Sequence, residues 1–311
     1  PGGASDPTAW DGTDFALAEG NGDILLAPIS VQRQLWLIGE RTTEIWYNSG
    51  ATFPFDRSPG GFLNVGCNAR RSIATFQSDL MFLSSNNQVL KSKGYDLIPV
   101  STYQIEYLIS TMVSVADAVG FMYIQEGHLF YELSFPTDSK TICYDLTTGF
   151  WHTRASGAMD LRSPANCAVR FNNKVLVGHY DNGQIYEYDL ATYDDDGAPK
   201  RAIRAAQPLK TNGNTFFTSS FELDMETGVG NDDVADPQIA LQISRDGAHT
   251  WGPERWKSMG IIGEYSKRVR WNRVRGGRNF VARVTISDAV KRNIFMAYLD
   301  VEGSSGGQDA K

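Results

Sequence analysis

The sequence contains few of the residues that build redox, metal or nucleophilic sites. It has three cysteines, Cys67, Cys143 and Cys167, and none of them forms a Cys-x-x-Cys pair. We expect all three to be small buried core residues of a chain that folds in a reducing cytoplasm. The four histidines stand apart from one another, without the short spacing that a zinc site needs. The sequence therefore predicts neither a disulfide framework nor a histidine metal centre.

Other familiar sequence features are missing as well. Nothing approaches eighteen uninterrupted apolar residues, so we expect no membrane span. Ser163 and Ser244 lack a Gly-x-Ser-x-Gly context, and Gly276-Gly-Arg-Asn279 predicts a hairpin turn because no helix should follow it. The acidic runs Asp194–Asp196 and Asp232-Asp233 lack the EF-hand pattern, which favours solvated loops and leaves calcium binding open. We expect no catalytic residue, no cofactor and no enzyme activity.

The charge of the chain is unevenly distributed. The net charge is −7, yet residues 255–292 hold eleven Lys or Arg and two acids, a local charge of +9. The rest of the chain is then −7 − 9 = −16. Such a block is either a solvated strand face or a surface for an acidic partner, a neighbouring subunit or nucleic acid. The residues predicted for a charged subunit interface are Lys267, Arg268, Arg270, Arg273 and Arg275.

A repeated plan of apolar strand, polar bend and second strand is the main feature that the sequence does contain. The bends centre on Arg41, Asn87, Asp138 and Asn182, in steps of 46, 51 and 44 residues. Short strands repeated every ~40–50 residues are typical of β-propeller blades. The turns Tyr144-Asp-Leu-Thr-Thr148 and Tyr188-Asp-Leu-Ala-Thr192 repeat each other, and each Asp should accept backbone N–H groups two residues on. The sequence thus predicts an all-β, propeller-like fold with blades of ~45 residues.

Beyond these hairpins the sequence predicts further elements and a division into domains. Phe150–Arg154 and Lys200–Ala205 should be the fourth strands of two blades. Apolar residues at helical spacing predict one short helix over 102–116, with Ser101 and Gln104 as its capping box. We expect propeller blades over 1–208, a β-rich region of final blades or a separate domain over 209–303, and a flexible tail over 304–311. Strands are expected at 215–223, 238–244, 268–275, 280–286 and 294–301.

One motif resembles an Asp-box of sialidase-type propellers. The segment Ser244-Arg-Asp-Gly-Ala-His-Thr-Trp251 supplies Ser244, Asp246, Gly247, Thr250 and Trp251. Asp246 would accept backbone N–H bonds across the hairpin tip, and Trp251 would hold the hairpin against the sheet. The position where the motif has glycine holds alanine here, directly after Gly247. We expect this segment to stabilise a hairpin and to take no part in catalysis.

Several segments in a fixed order resemble one protein family. They are Leu35-Trp-Leu-Ile-Gly-Glu-Arg-Thr-Thr-Glu-Ile-Trp-Tyr-Asn-Ser-Gly50, Phe53-Pro-Phe55, Gly127-His128, Phe135-Pro136, Tyr144-Asp145 with Trp151-His152, and Ser244-Arg-Asp-Gly247. From about Asp23 to Val301 this order resembles the packaged-DNA-stabilisation or tail-hub (nozzle) proteins of short-tailed bacteriophages. Members of that family are usually longer at the N-terminus, so the chain is similar to their C-terminal two-thirds or to a short variant.

The resemblance implies a structural function. The family implies a virion protein of the phage tail, assembled in the host bacterial cytoplasm as a ring, typically a hexamer, below the portal and its adaptor ring. Such a ring extends the DNA channel, retains the packaged genome and carries tail fibres, spikes or a tail needle. DNA passes through it without sequence-specific binding, and no active site is implied. One alternative left open is a carbohydrate-binding or sialidase-like propeller, which the imperfect Asp-box and the aromatic residues would suit. Another is a host-type propeller scaffold that binds proteins.

Overall fold

The computed structural model describes residues 20, 22–51, 53–210 and 215–302. Its elements are nearly all β-strands, with one short α-helix in the part that is described, which confirms the predicted fold class. The chain divides into two compact units. The first consists of Pro1–Ala155 with Leu161–Tyr188, and the second of Ser156–Asp160 with Asp189–Lys311.

The first unit is a series of four antiparallel sheets, each formed by strands that follow one another in the chain. The first blade contains β1 (Leu25–Val31), β2 (Gln34–Gly39), β3 (Thr43–Asn48) and β4 (Phe55–Leu63). The second contains β5 (Ala74–Phe76), β6 (Asp79–Leu83), β7 (Val89–Lys93) and β8 (Asp96–Pro99). The third contains β9 (Val119–Gln125), β10 (His128–Phe135), β11 (Lys140–Asp145) and β12 (Phe150–Arg154). The fourth contains β13 (Ala165–Phe171), β14 (Lys174–His179) and β15 (Ile185–Glu187).

These sheets confirm the repeat that the sequence predicts. Each of the four predicted bends is the turn between the second and third strands of a blade. Phe150–Arg154 is the fourth strand of the third blade, as expected. Lys200–Ala205 was expected to be the fourth strand of the next blade, and this is wrong. The strand found there belongs to the second unit, so the fourth blade has three strands among the described residues.

Alternation along the strands packs the blades face to face. In β6, Leu80 and Phe82 point into a cluster shared with the first blade, whereas Met81 and Leu83 point into a cluster shared with the third. All four side chains are fully buried. Because successive side chains of a strand point to opposite faces, a strand buried on both sides must be apolar at every position. This is why the run Leu80–Leu83 carries no polar residue.

The third and fourth blades share a further cluster of the same kind. Phe121 and Tyr123 of β9 pack there against Val175 and Val177 of β14, and Met122 between them faces the second blade. The first unit is therefore held together by three successive layers of side chains between four sheets, the packing expected of propeller blades.

The helix α1 (Tyr103–Ser110) is shorter than the predicted 102–116. It packs between the second and third blades through Ile109, which is fully buried. The expected capping box is not formed, because Ser101 donates from Oγ to Glu106 Oε1 (2.9 Å) and accepts from the backbone N–H of Val89 (3.2 Å). The residue at the N-cap is Thr102, which makes no side-chain capping bond. Ser101 thus links the helix to the second blade.

The second unit consists of two sheets around one core. Its strands are β16 (Ala202–Ala205), β17 (Phe217–Met225), β18 (Gln238–Ser244), β19 (Arg255–Ser258), β20 (Val269–Asn272), β21 (Val281–Ile286) and β22 (Ile294–Glu302). One sheet has the order β16-β21-β18-β19 and the other β20-β17-β22. Both sheets contribute to the core, the first through Leu241 and Val284 and the second through Leu223 and Trp271. This is a β-sandwich with non-sequential strand order, which differs from the meander of a blade.

The change between units lies earlier than the predicted division at residue 208. The first unit ends at Tyr188, and β16 (Ala202–Ala205) already pairs with β21 across the second unit. A strand that closes on a partner some eighty residues later cannot be recognised from local pattern, because it looks like any other short strand. The expected tail over 304–311 lies outside the described residues.

The cysteines are free, and two of them are buried as expected. Cys67 and Cys143 lie in the first unit's core, whereas Cys167 is exposed, so the expectation of a third core cysteine is wrong. Cys167 lies on β13 opposite Gly178, and a Cβ at Gly178 would come within 2.8 Å of its Sγ. Among the helices of the described part, none is long and apolar enough to span a membrane.

Candidate functional site

The Asp-box-like segment forms a tight hairpin directly after β18. Asp246 accepts hydrogen bonds from Ser244 Oγ (2.6 Å) and from the backbone N–H (2.9 Å) and Oγ1 (2.5 Å) of Thr250. These hydrogen bonds hold the pKa of Asp246 well below its ordinary value, because they stabilise the ionised carboxylate. The Ser244 hydroxyl contributes most and the two Thr250 donors come next. Ser244 Oγ also accepts from the backbone N–H of Ala248 (2.8 Å). The polar side chains of the motif are hydrogen-bonded to one another and to the hairpin backbone, so the motif stabilises the hairpin.

The alanine that replaces the expected glycine lies in a left-handed conformation. The φ angles are +78° at Gly247 and +77° at Ala248. Glycine adopts positive φ at no steric cost, whereas a Cβ is strained there. The hydrogen bonds of Ser244 and Asp246 thus hold Ala248 in a conformation that its side chain disfavours.

Trp251 is partly buried and contacts a cation. The guanidinium of Arg283, on β21, lies 3.9 Å from the centroid of the Trp251 ring. Arg283 also donates to Gln242 Oε1 on β18 (2.7 Å). The ring thus contacts the sheet through a cation–π interaction, which is worth about 0.5–2 kcal/mol.

The five residues predicted for a charged interface fall into two groups. Lys267 pairs with Glu264 (3.0 Å), and Arg268 makes a two-pronged contact with the carboxylate of Glu222 (2.7 and 2.8 Å). Arg270 donates to Ser220 Oγ (2.7 Å) on β17. These three cations are therefore bound by groups of their own unit, and their pairing with a neighbouring subunit stays a prediction.

Arg273 and Arg275 form the second group and lie in the turn that follows β20. Both are exposed and have positive φ angles, +55° and +56°. Their backbone N–H groups donate to Ser219 O (2.7 Å) and Thr218 O (3.1 Å) of β17. No acidic side chain pairs with either guanidinium in the described ranges. The segment 273–278, which contains a third exposed arginine, Arg278, is called the arginine loop below.

Sequence reasoning missed a buried ion pair in the first unit. Glu132 of β10 is fully buried and accepts from Arg154 Nη1 of β12 (2.9 Å), whose side chain is 25% exposed. The hydroxyl of Tyr188 lies 3.3 Å from the same carboxylate. The Arg154 guanidinium also lies 5.5 Å from the ring centroids of Tyr123, Phe130 and Tyr188. A single acid inside the apolar run Leu129–Phe135 is the sequence signal that could have revealed this pair.

The ion pair lies within the third blade, and Tyr188 links it to the end of the fourth. Burial lowers the pKa of Arg154, but the charge of Glu132 together with smaller contributions from Cys143, Tyr123 and Tyr188 holds that pKa well above the ordinary value. Tyr188 follows β15 and reaches Glu132 on β10, while its carbonyl accepts from Gln125 Nε2 (3.0 Å) on β9. These two contacts of Tyr188 fasten the end of the fourth blade to the third.

The repeated Tyr-Asp-Leu turns form as the sequence predicts. Asp145 Oδ1 accepts from the N–H of Thr147 (2.9 Å), and Asp189 Oδ1 accepts from the N–H of Ala191 (3.0 Å). Asp145 also contacts His128 Nδ1 (2.8 Å), so this histidine belongs to a turn. Over the residues that the structure places, no group of three or more His, Cys, Asp or Glu could hold a metal ion.

Both units match models of one family. The bacteriophage P22 Gp10 β-propeller model matches residues 4–193, and the P22 Gp10 β-sandwich model matches residues 202–302. The chain belongs to the bacteriophage P22 Gp10 family. This confirms the resemblance to packaged-DNA-stabilisation and tail-hub proteins that the sequence motifs suggest. The two matches also correspond to the two units of the fold. Membership of this family makes the protein a structural component of the phage tail.

The other comparisons add little to this assignment. No curated protein matches the chain. Two solved structures of exo-beta-1,3-galactanase from Phanerochaete chrysosporium with beta-1,3-galactotriose are similar at 11% and 10% identity. Each match covers 87% of this chain and 80% of the galactanase chain, with a TM-score of 0.29. A similarity at that score carries no argument about the activity of this protein.

Proposed function

We propose that this protein is a non-catalytic subunit of a ring that extends the DNA channel below the portal and its adaptor. The observation that carries the proposal is the match of both units to the Gp10 family, one to its propeller and one to its sandwich. The ring would retain packaged DNA and anchor tail fibres, spikes or a tail needle. A hexamer is the stoichiometry that we expect.

The packing of the first unit suits a load-bearing subunit. Three side-chain clusters fill the spaces between its four sheets, and the contact of the Tyr188 hydroxyl with Glu132 adds a polar link between the last two. Closely packed interiors have low compressibility and transmit strain. Such packing suits a subunit that has to keep its blade geometry under the pressure of packaged DNA.

Charge complementarity offers a way for the ring to close. Head-to-tail contacts join two different surfaces of one subunit and close into a ring when the rotation allows it. The segment 255–292 carries +9 and the remainder −16. Contacts between these opposite charges weaken as salt rises.

Mass photometry of the purified full chain tests the proposal. We expect particles several times the 34.4 kDa chain mass at low salt, a shift toward the monomer at high salt, and binding to a portal–adaptor complex. A chain that stays monomeric at every salt concentration and does not bind that complex would contradict the ring. Cleavage of a sialoside or binding to a glycan array would instead favour the carbohydrate-directed alternative.

A further inference from the structure

The cations of segment 255–292 are not equally free to meet a partner. Most are bound within the second unit. Acids or a hydroxyl bind Lys267, Arg268, Arg270 and Lys291. Carbonyls, an amide or an aromatic ring contact Arg255, Arg283 and Arg292. Within the described residues, four cations of the segment make no side-chain hydrogen bond or ion pair: Lys257, Arg273, Arg275 and Arg278. Three of these four lie within the six residues of the arginine loop.

The arginine loop is fixed to the sandwich beneath it. Val274, between the first two arginines, is 1% exposed and belongs to the core. A Cβ at Gly276 would come within 1.8 Å of Phe216 O, so the loop backbone lies directly against β17's N-terminal end. The bonds from Arg273 and Arg275 to the β17 carbonyls hold both residues at positive φ. Strained backbone of this kind persists only where its surroundings enforce it, and it is commonest at functional positions.

A further arginine supports the loop from the neighbouring hairpin. Arg245 is exposed and donates to Gly276 O (3.2 Å) and Val274 O (3.4 Å). The nearest acid in that hairpin, Asp246, is occupied by Ser244 and Thr250. Four guanidinium groups therefore lie on one rigid turn region, and none of them is paired with a carboxylate in the part of the chain that the structure describes.

The composition of the loop favours a phosphate backbone over a protein surface. From Asn272 to Asn279 the exposed residues are polar or charged, and the one large apolar side chain, Val274, faces the core. Protein interfaces rely on buried aromatic or aliphatic anchors at their centre, whereas contacts with nucleic-acid backbones are strongly positive and polar. The planar guanidinium also matches phosphate oxygens with two parallel N–H bonds.

We propose that the arginine loop binds the phosphate backbone of double-stranded DNA without reading its sequence. This inference deepens the proposed conduit function and rests on it, since it names one surface of the subunit that faces the genome. A rigid loop with three unpaired arginines would hold the duplex by charge and still let it move along its axis. The acidic remainder of the chain keeps that attraction local to the loop.

Fluorescence anisotropy with a labelled random-sequence duplex of about 20 base pairs tests the inference. The full chain is compared with Arg273→Gln/Arg275→Gln/Arg278→Gln over a series of salt concentrations. Because each neutralised phosphate contributes about 0.9 to the slope of log K against log salt, loss of three contacts lowers that slope by about 2.7. The matched control, Lys267→Gln/Arg268→Gln/Lys291→Gln, removes the same charge from cations that are already paired and should change the slope by less than about 1.

Three results would overturn the proposal. The first is a wild-type chain that binds no duplex at about 50 mM salt. The second is an equal lowering of the slope by both triple variants, which would reduce the effect to net charge. The third is unchanged DNA binding in the loop variant together with loss of ring assembly, which would make the loop a subunit contact. Phe217→Ser, which alters a 58% exposed side chain beside the loop, should leave DNA binding unchanged. Intact ring assembly with no DNA binding would contradict this inference and leave the proposed ring standing.

Discussion

Removal of either partner of the Glu132–Arg154 pair should destabilise the first unit strongly. The carboxylate of Glu132 is fully buried, so Arg154→Met leaves a charge with no cation and no access to water. Breaking a buried ion pair from one side costs about 3–5 kcal/mol, and we expect this variant at the upper end. Glu132→Leu should cost about 3 kcal/mol, because the 25% exposed Arg154 keeps some contact with water and with three aromatic rings.

The double variant separates the ion pair from simple packing. Glu132→Leu with Arg154→Met removes both charges and fills the space with apolar side chains, which is often neutral or stabilising relative to a buried pair. We therefore expect the double variant to be more stable than Arg154→Met alone. Lys91→Met serves as the control, since Lys91 and Asp79 form a pair (3.0 Å) with both side chains partly exposed. Such a pair is worth about 0–1 kcal/mol.

Hydrogen exchange measured by mass spectrometry gives the local readout. A loss of about 3–5 kcal/mol speeds exchange of the slowest amides of β10 and β11 by about 140- to 3,700-fold, since each 1.4 kcal/mol is a factor of ten. Peptides from residues 215–302 should exchange as in the wild type. Additive costs in the double variant, or single variants no worse than Lys91→Met, would refute the view that Glu132 and Arg154 stabilise the first unit as a coupled ion pair.

Two further predictions concern the Asp-box-like hairpin. Ala248→Gly should raise the free energy of unfolding by about 1 kcal/mol, because φ is +77° there and glycine removes the strain of the Cβ. An unchanged or lower free energy of unfolding in a urea titration would contradict this. The lowered pKa of Asp246 means that its contribution to stability is present above the ordinary value of 3.8 and is lost as pH falls through the lower folded-state pKa. Asp246→Asn should therefore lower stability at neutral pH and flatten the acid limb of the stability curve, whereas parallel curves for the two proteins would show that Asp246 is not responsible.

The sequence predicted the propeller because its blades are local. A blade consists of consecutive strands, so apolar runs and turn residues such as Asn87 and Asn182 mark it without knowledge of distant pairing. The Asp145 and Asp189 turns were predictable for the same reason, since their hydrogen bonds span two residues. The repeat spacing and the order of motifs then pointed to the family.

The features that the sequence did not reveal depend on contacts between distant residues. β16 pairs with β21 some eighty positions away, so Ala202–Ala205 looked like a local blade strand. The local pattern predicts Ser101 as a helix cap. Its hydroxyl instead accepts from the backbone N–H of Val89, a tertiary contact that leaves no signal in the neighbouring residues. The charge of residues 255–292 could be counted, but the pairing of Arg268 with Glu222, forty-six residues earlier, decides which cations remain free.

A cryo-EM map of the tail of the phage that carries this protein tests the central claim most directly. We expect a ring of copies around the DNA channel below the portal adaptor, each with four packed blade sheets and a separate two-sheet sandwich. A map in which this chain lies away from the channel, or in which residues 25–188 do not form successive four- and three-stranded sheets, would contradict the account.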